Sequence, residues 1–363
     1  MDLRVVSSLD AEPLDNDAWD TFVSASPDGH LLQTSCWGAL KARLGWRVER
    51  VALIDGESII AGAQVLYFQA DPLRLFTLAY VPEGPVVDWQ DEEVVRTLLA
   101  ALRRAARLQR AFCLKLEPHC LADPGLTATM GLHGFRPSPR TIRPRRTMVI
   151  DLDCEEEEIL SRFKKKTRHH VRSAARKGVI VREGSASDLP AFQGLVEETA
   201  SRHGFVAHGA EFYRMAYDLI VCSGHGRFLV ATYQDTVLAG SMVFATGRAA
   251  WDMYGATGGS HRKLTANHLL QWTGIVWANK RGCLTYDLCG IPDVDEDVLD
   301  REFRKRSDWG VYRFKRGFGG RVVRYAGVYD QVYYRFLYCV YNLVYSRLRR
   351  RWGANWHRRL RKG

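Results

Sequence analysis

The chain has 363 residues, 46% of them apolar and 26% charged, which fits a folded protein with two hydrophobic cores and excludes a disordered one. No apolar run reaches the roughly 18–20 residues of a membrane span. The start, Met1-Asp-Leu-Arg-Val-Val6, lacks a basic stretch leading into an apolar one, so a cytoplasmic protein is expected. Of the formal net charge of +11, nine positive charges come from Lys and Arg after Asp330, where no Asp or Glu occurs, so the basic balance belongs to the C-terminus.

The first candidate element is Gln33-Thr-Ser-Cys-Trp37-Gly-Ala-Leu-Lys41, followed by Gly45-Trp46. On a helix Trp37 and Lys41 share a face, so Lys41 either projects beside an aromatic wall toward an anion or is a solvated lysine next to a core tryptophan. Residues 51–66 read as strand, Asp55-Gly56 turn, strand. In Ala79-Tyr-Val-Pro-Glu-Gly-Pro-Val-Val87, two prolines and a glycine break an apolar strand. That break either exposes backbone amides to a ligand or only stiffens the strand exit. A helix from Leu98-Leu99 to about Arg110 leads into a buried strand over residues 111–118.

Beyond Met148 one helix is expected, with Asp153 as cap, Glu155 to Glu158 at its positive end, and Lys164 to Lys177 at its negative end before Gly178. Lys164-Lys-Lys-Thr-Arg168-His-His-Val-Arg172 with Arg176-Lys177 forms a basic face that holds phosphates of tRNA, DNA or a nucleotide, or is simply solvated. No helix-turn-helix, RRM or zinc-finger pattern accompanies it. Arg202-His-Gly-Phe-Val-Ala-His208 groups a cation and imidazoles around a glycine, as an anion site or as a capped helix end.

Residues 230–244 repeat the strand–turn–strand pattern, with Ala239-Gly240 matching Ala61-Gly62 at an offset of 178. A helix from Leu269-Leu270 to about Arg281 and a strand over 283–289 match the earlier helix and strand at an offset of 171. In Tyr286-Asp-Leu-Cys-Gly-Ile-Pro292, Asp287 falls at a strand's C-terminal edge, where it meets a ligand or fixes the loop. In Tyr312-Arg-Phe-Lys315-Arg-Gly-Phe-Gly-Gly320, Lys315 lies between Phe314 and a glycine-rich turn. A shielded ammonium there suits an oxyanion; a surface lysine flanking a core phenylalanine is the plainer alternative. The tail is aromatic from Tyr329 to Tyr345 and arginine-rich to Trp352, the pattern of a helix that lies on an anionic bilayer or packs on the body.

The repeat predicts two mixed α/β domains, each a hairpin followed by a strand–helix–strand crossover, at residues 1–148 and 149–318. A strand, an amphipathic helix and a basic tail follow over 319–363. The eight cysteines show no C-x-x-C pair and read as reduced core thiols, with no metal expected. Walker A, G-x-G-x-x-G, G-x-S-x-G and H-E-x-x-H patterns are absent. So is the R/Q-x-x-G-x-G/A loop with which N-acetyltransferases hold acetyl-CoA.

Taken in order, Gln33-x-x-x-Trp37-x-x-x-Lys41, Tyr80-x-Pro-x-Gly-Pro85, Arg202-x-Gly, Trp251-x-x-Tyr254-Gly, Tyr286-Asp-Leu-x-Gly-Ile and Phe314-Lys-x-x-Phe318 resemble the FemABX peptidyltransferases. These non-ribosomal enzymes add amino acids to peptidoglycan precursors, and the resemblance covers nearly the whole chain. It implies two tandem GNAT-like domains, aminoacyl-tRNA as donor, no cofactor, and an amino group on the stem peptide of a lipid- or UDP-linked muropeptide as acceptor. With no sustained heptads in its second domain, the chain is similar to the members that lack a coiled-coil arm.

By position, the resemblance implies that Lys41, beside Trp37, contacts the precursor's diphosphate. Tyr254 would line the peptide channel, and Lys315 with Phe314 would sit near the tRNA's terminal ribose and the ester. The family position that can carry a second phosphate-binding arginine is His208 here, with Arg202 as the neighbouring substitute.

An aminoacyl ester is already activated, so the enzyme has to align amine and ester and stabilise the tetrahedral oxyanion. Asp287 is one candidate for the amine's proton, and the tRNA's own hydroxyl or phosphate is another. A lipid-linked acceptor and the aromatic-basic tail together point to the inner membrane surface as a partner. Two other readings stand beside this one: an N-acyltransferase with an acyl-CoA donor, and a non-catalytic RNA- or membrane-binding scaffold.

Overall fold

Apolar runs of period two become strands and those of period 3.6 become helices along the chain. The computed structural model describes residues 3–10, 14–69, 75–294 and 307–351. The first elements are β1 (Leu3–Ser7), α1 (Asn16–Ala25), α2 (Ser35–Arg43), β2 (Arg47–Asp55), β3 (Ser58–Gln69), β4 (Thr77–Val81), α3 (Glu92–Leu108), β5 (Ala111–Leu116), α4 (Pro124–Leu132) and β6 (Arg136–Pro137). There follow β7 (Arg146–Asp151), α5 (Glu156–Arg162), α6 (Lys165–Arg176), β8 (Ile180–Glu183), α7 (Leu189–His203), α8 (Ala210–Ala216), β9 (Gly226–Tyr233), β10 (Thr236–Thr246) and β11 (Ala249–Thr257). The last are α9 (Ala266–Lys280), β12 (Thr285–Gly290), α10 (Ser307–Arg316), β13 (Arg321–Arg324), β14 (Tyr329–Val332) and α11 (Arg335–Arg351).

The chain divides into two compact units, Met1–Arg145 with Arg324–Arg351, and Arg146–Val323. Sequence patterning placed the divisions at 148 and 318 and set 319–363 apart. Instead β14 inserts between β5 and β6, so the chain's end completes the first unit's sheet. Residues 352–363 of the basic tail lie outside the described residues.

The first sheet has the order β1-β2-β3-β4-β5-β14-β6, with β4 and β5 parallel across the α3 crossover. Asp91 caps α3 by accepting from Val94 N, so the helix starts six residues before Leu98. Its buried face, Val94, Leu98, Leu102 and Ala105, packs on Val51, Ala63, Leu114 and Leu116 of the sheet. The second sheet, β13-β7-β12-β11-β10-β9-β8, repeats the plan, with β11 and β12 parallel across α9. Ile275 and Ala278 of α9 meet Val243, Ala245, Ala250 and Tyr286 in its core.

The single helix expected between Asp153 and Lys177 is two helices. Phe163 takes an extended conformation at the break. Its buried ring packs edge-on against Trp272 and Phe318. Lys164 N–H donates to Gly317 O at 2.9 Å instead of continuing the helix. Burial of the aromatic ring offsets the intrahelical bonds lost at the break. Lysines 164–166 therefore stand at the N-terminal end of α6, not near a C-terminus, and Asp153 is not the cap of α5, which is Glu155.

All eight cysteines are free, but only Cys113 and Cys283 are buried, so core packing does not account for Cys222 and Cys339. α11 is amphipathic as expected. Leu337, Tyr338 and Tyr341 pack on Leu78 and Phe112, while Phe336, Val340 and Leu343 are exposed on another side. Among the described residues no helix is long and apolar enough to cross a membrane.

Candidate active site

In the first unit, Gln33 joins two of the sequence motifs. Its Oε1 accepts from Gln64 N at 2.7 Å and its Nε2 donates to Pro82 O at 2.5 Å. Gly84 is required there, since a Cβ would stand 2.8 Å from the Gln33 amide. α2 then carries Lys41 back over the indole of Trp37, with Nζ 4.8 Å from that ring and 5.9 Å from Trp46. Burial, helped by the charge of Arg143, pushes the Lys41 ammonium down to about 8. Trp37 Nε1 is buried with no hydrogen-bond partner among the described residues, a second donor left over beside this cation.

Behind Lys41 lies a charged network. Glu83, at φ +47°, sits 2.8 Å from Arg143 Nε and 2.8 Å from His119 Nδ1. Burial opposes its ionisation, but Arg143, His30 and His119 together hold its carboxyl well below the usual range. Glu117 accepts from the Tyr80 hydroxyl, and burial and the Glu83 charge push it up to about 7. His30, Glu83 and His119 place three ligand atoms within 4.8 Å of one another, spacing that a metal ion requires. Both Glu83 oxygens are already engaged, one by Arg143 and one by His119, so the cluster fits an ion-pair network better than a metal.

In the second unit, β12 leaves its register with β7 after Asp287, and Cys289 takes φ +59°. Asp287 Oδ1 accepts from the Thr147 hydroxyl and from Cys289 N at 2.6 Å, which holds this turn. The turn points the carbonyls of Cys289 and Gly290 at Lys315, whose Nζ donates to them at 3.1 and 2.8 Å. Burial lowers the Lys315 pKa, while Cys289, Asp252 and Asp287 oppose the shift. Asp252, whose own pKa burial raises, accepts from the Ser241 hydroxyl and lies in the field of Lys315. Phe314 packs edge-on against His268 at 5.0 Å and Phe318 at 5.1 Å, which fixes the backbone that carries Lys315.

A second group in this unit is aromatic. His208 stacks on Phe212 at 3.9 Å and meets the ring of Tyr254 at 6.0 Å, and Tyr254 also contacts Tyr213 and Phe244.

The FemAB family model matches the chain at residues 14–124, 127–232 and 224–346. The chain belongs to the FemAB family. It is 26% identical to the lipid II:glycine glycyltransferase of Staphylococcus aureus strain MRSA252 and 27% identical to that of Staphylococcus haemolyticus strain JCSC1435. Each match covers 92% of this chain and 95% of the relative. The crystal structure of FemX superposes with a TM-score of 0.81 at 22% identity, over 91% of this chain and 98% of FemX. A tandem GNAT protein of clavulanic acid biosynthesis gives a TM-score of 0.56 at 13% identity, over 91% of this chain and 98% of that one. The fold is therefore the tandem GNAT-like arrangement that the internal repeat and the family resemblance implied.

Against the FemAB expectations, the structure brings Trp37 to Lys41, Phe314 and Asp287 to the surroundings of Lys315, and His208 to Tyr254. Arg202 is committed elsewhere: its guanidinium donates to Thr257 O at 2.6 Å and pairs with Glu198 at 3.2 Å, so it braces α7 against the end of β11. Sequence reasoning passed over Asp252, Glu117 and Arg143. Asp252 lies inside the quoted Trp251-x-x-Tyr254 motif and Glu117 directly before Pro118, so both were within reach of a motif reading. Nothing local marks Arg143, which acquires its role only by folding against Glu83.

Proposed function

We propose that this FemAB-family chain is an aminoacyltransferase of cell-wall synthesis that joins an amino acid to the stem peptide of a peptidoglycan precursor, with aminoacyl-tRNA as donor. The observation that carries the reading is the fixed ammonium of Lys315 within the family motif Phe314-Lys-x-x-Phe318. The acceptor amine attacks the ester carbonyl, a tetrahedral oxyanion forms, the ribose oxygen leaves, and an amide remains. The amine loses one proton and the ribose oxygen gains one. Lys315, held by two carbonyls before the reaction, stabilises the oxyanion without reorganising. Asp287 acts through the turn it holds, as a positioning residue, and Phe314 keeps Lys315 in place. No cofactor enters this scheme.

Lys41 and the orphaned Trp37 N–H supply donors for the precursor's diphosphate, and the His208–Tyr254 cluster supplies an apolar wall for a peptide. The names of the relatives, lipid II:glycine glycyltransferases, favour a lipid-linked acceptor over a UDP-linked one. A lipid-linked acceptor lies at the inner membrane face. The exposed Phe336, Val340 and Leu343 of α11, followed in sequence by Arg347, Arg349 and Arg350, support docking there from the cytoplasmic side.

The test is a transfer assay read by mass spectrometry, with purified protein, both forms of muropeptide precursor, charged total tRNA and a ribonuclease-treated control. A ribonuclease-sensitive gain of one amino acid is expected. No gain with folded protein overturns the reading and returns the acyl-CoA donor to consideration.

A further inference from the structure

The break between α5 and α6 places Lys164, Lys165 and Lys166 at the N-terminal end of a helix, where the macrodipole disfavours cations. Lys164 is the N-cap residue and makes no side-chain cap. α6 carries no Asp or Glu at all. Its outer face runs Lys165, His169, Arg172, Arg176, at spacings of four, three and four, and all four residues are exposed. Lys165, Arg172 and Arg176 have no acidic partner among the described residues. Several other arginines of the second unit are paired: Arg162 with Glu158, Arg182 with Asp188, Arg214 with Asp218, Arg227 with Glu183. The lysines at the N-terminal end are a local conflict of the kind that functional surfaces retain, whereas Arg176 in the last turn suits the macrodipole.

This face is tied to the segment that bears Lys315. Lys164 N–H donates to Gly317 O at 2.9 Å. His170 Nδ1 lies 3.2 Å from His268 Nε2, and His268 packs on Phe314. A polyanion lying along α6 is thereby led to the Phe314–Gly317 turn.

We propose that the Lys165–Arg172–Arg176 face of α6 tracks the phosphate backbone of the RNA donor, so that α6 delivers the charged 3′ end to Lys315. This rests on the aminoacyl-tRNA reading given above. An RNA suits the face better than a lipid surface does. The exposed row holds only Lys, His and Arg and offers no large apolar side chain to enter a bilayer, in contrast to α11.

The test measures binding of labelled, uncharged tRNA by fluorescence anisotropy across a series of salt concentrations. The full chain, the variant K165E/R172E/R176E, and a charge-matched control, R4E/R96E/R104E in the first unit, are compared. The face variant is expected to raise Kd about tenfold or more and to make the slope of log K against log salt shallower by about two to three, while the control changes little. Equal losses in both variants reduce the effect to net charge and overturn the proposal, as does tRNA binding unchanged in the face variant or absent from the wild type. Loss of binding to vesicles of phosphatidylcholine and phosphatidylglycerol in equal parts, with tRNA binding intact, overturns it in favour of a membrane. Should circular dichroism show the triple variant misfolded, R172Q/R176Q gives the same reading with a smaller shift. Failure of the donor reading shows separately, as wild-type protein that binds tRNA yet transfers nothing from it.

Discussion

Lys115 Nζ lies 2.5 Å from Asp330 Oδ1, with both side chains almost wholly buried, across 215 residues of chain. Ser138 and the Tyr338 hydroxyl complete the cluster at 2.9 and 2.7 Å. The pair fastens β14 into the first sheet and brings α11 with it. Removing one partner strands a buried charge, so Asp330→Ala is expected to cost about 3–5 kcal/mol. Replacing both with apolar residues, as in Lys115→Met with Asp330→Leu, is expected to cost less. Denaturant melts of the two variants check the order. Equal losses would show that the pair's charges are not what the burial makes costly.

Lys315→Ala is expected to lower turnover by roughly 10²–10³-fold, the range for losing one oxyanion stabiliser. Among the described residues the side chain donates only to the Cys289 and Gly290 carbonyls, so the fold is expected to survive the change. Single-turnover transfer rates at saturating precursor are the measurement, and a near-normal rate would remove Lys315 from the reacting centre.

Lys41→Ala is expected to raise KM for the precursor while kcat holds, because a diphosphate contact serves ground state and transition state alike. The depressed Lys41 pKa adds a pH signature. The ammonium is present below about 8 and lost above it, so precursor affinity is expected to fall as pH rises through about 8. Lys41→Arg keeps its charge and is expected to abolish that limb in a calorimetric pH series.

Glu117 gives a stability signature with a definite sign. Its folded pKa, about 7, lies above its unfolded value, so between the ordinary carboxylate range and about 7 the folded state holds a proton that the unfolded state has released. The stability this group contributes is full at low pH and is lost as pH rises through about 7. Glu83 runs the other way, its contribution being lost as pH falls. Thermal midpoints of Glu117→Gln are expected to show a flatter profile over the first window than wild type.

Phe336 is 77% exposed on α11, opposite the residues that pack on the sheet. Phe336→Ser with Leu343→Ser is expected to weaken binding to anionic vesicles about tenfold or more without lowering the melting temperature. Unchanged flotation with vesicles would leave the tail without a membrane role. A cut after Asp330 tests this poorly, because it removes the rest of β14 and the Tyr338 bond to Asp330.

The duplicated plan was legible at Ala61-Gly62 and Ala239-Gly240 because hairpins and amphipathic helices write their period into neighbouring residues. The motif order carried the family, and Trp37–Lys41 proved a real contact because four-residue spacing on a helix dictates one. Sequence alone therefore determined the tandem architecture and the strand–helix–strand order within each unit. Only the tertiary structure decided where β14 pairs, that Phe163 breaks the long helix and turns the lysines of α6 around, that Arg202 is a brace, and that Asp252 and Arg143 face the two lysines. Each of these depends on burial and on partners tens to hundreds of residues away. A single ring entering a core or a single buried charge finding its counterpart outweighs local preference, and neither leaves a periodic trace in the chain.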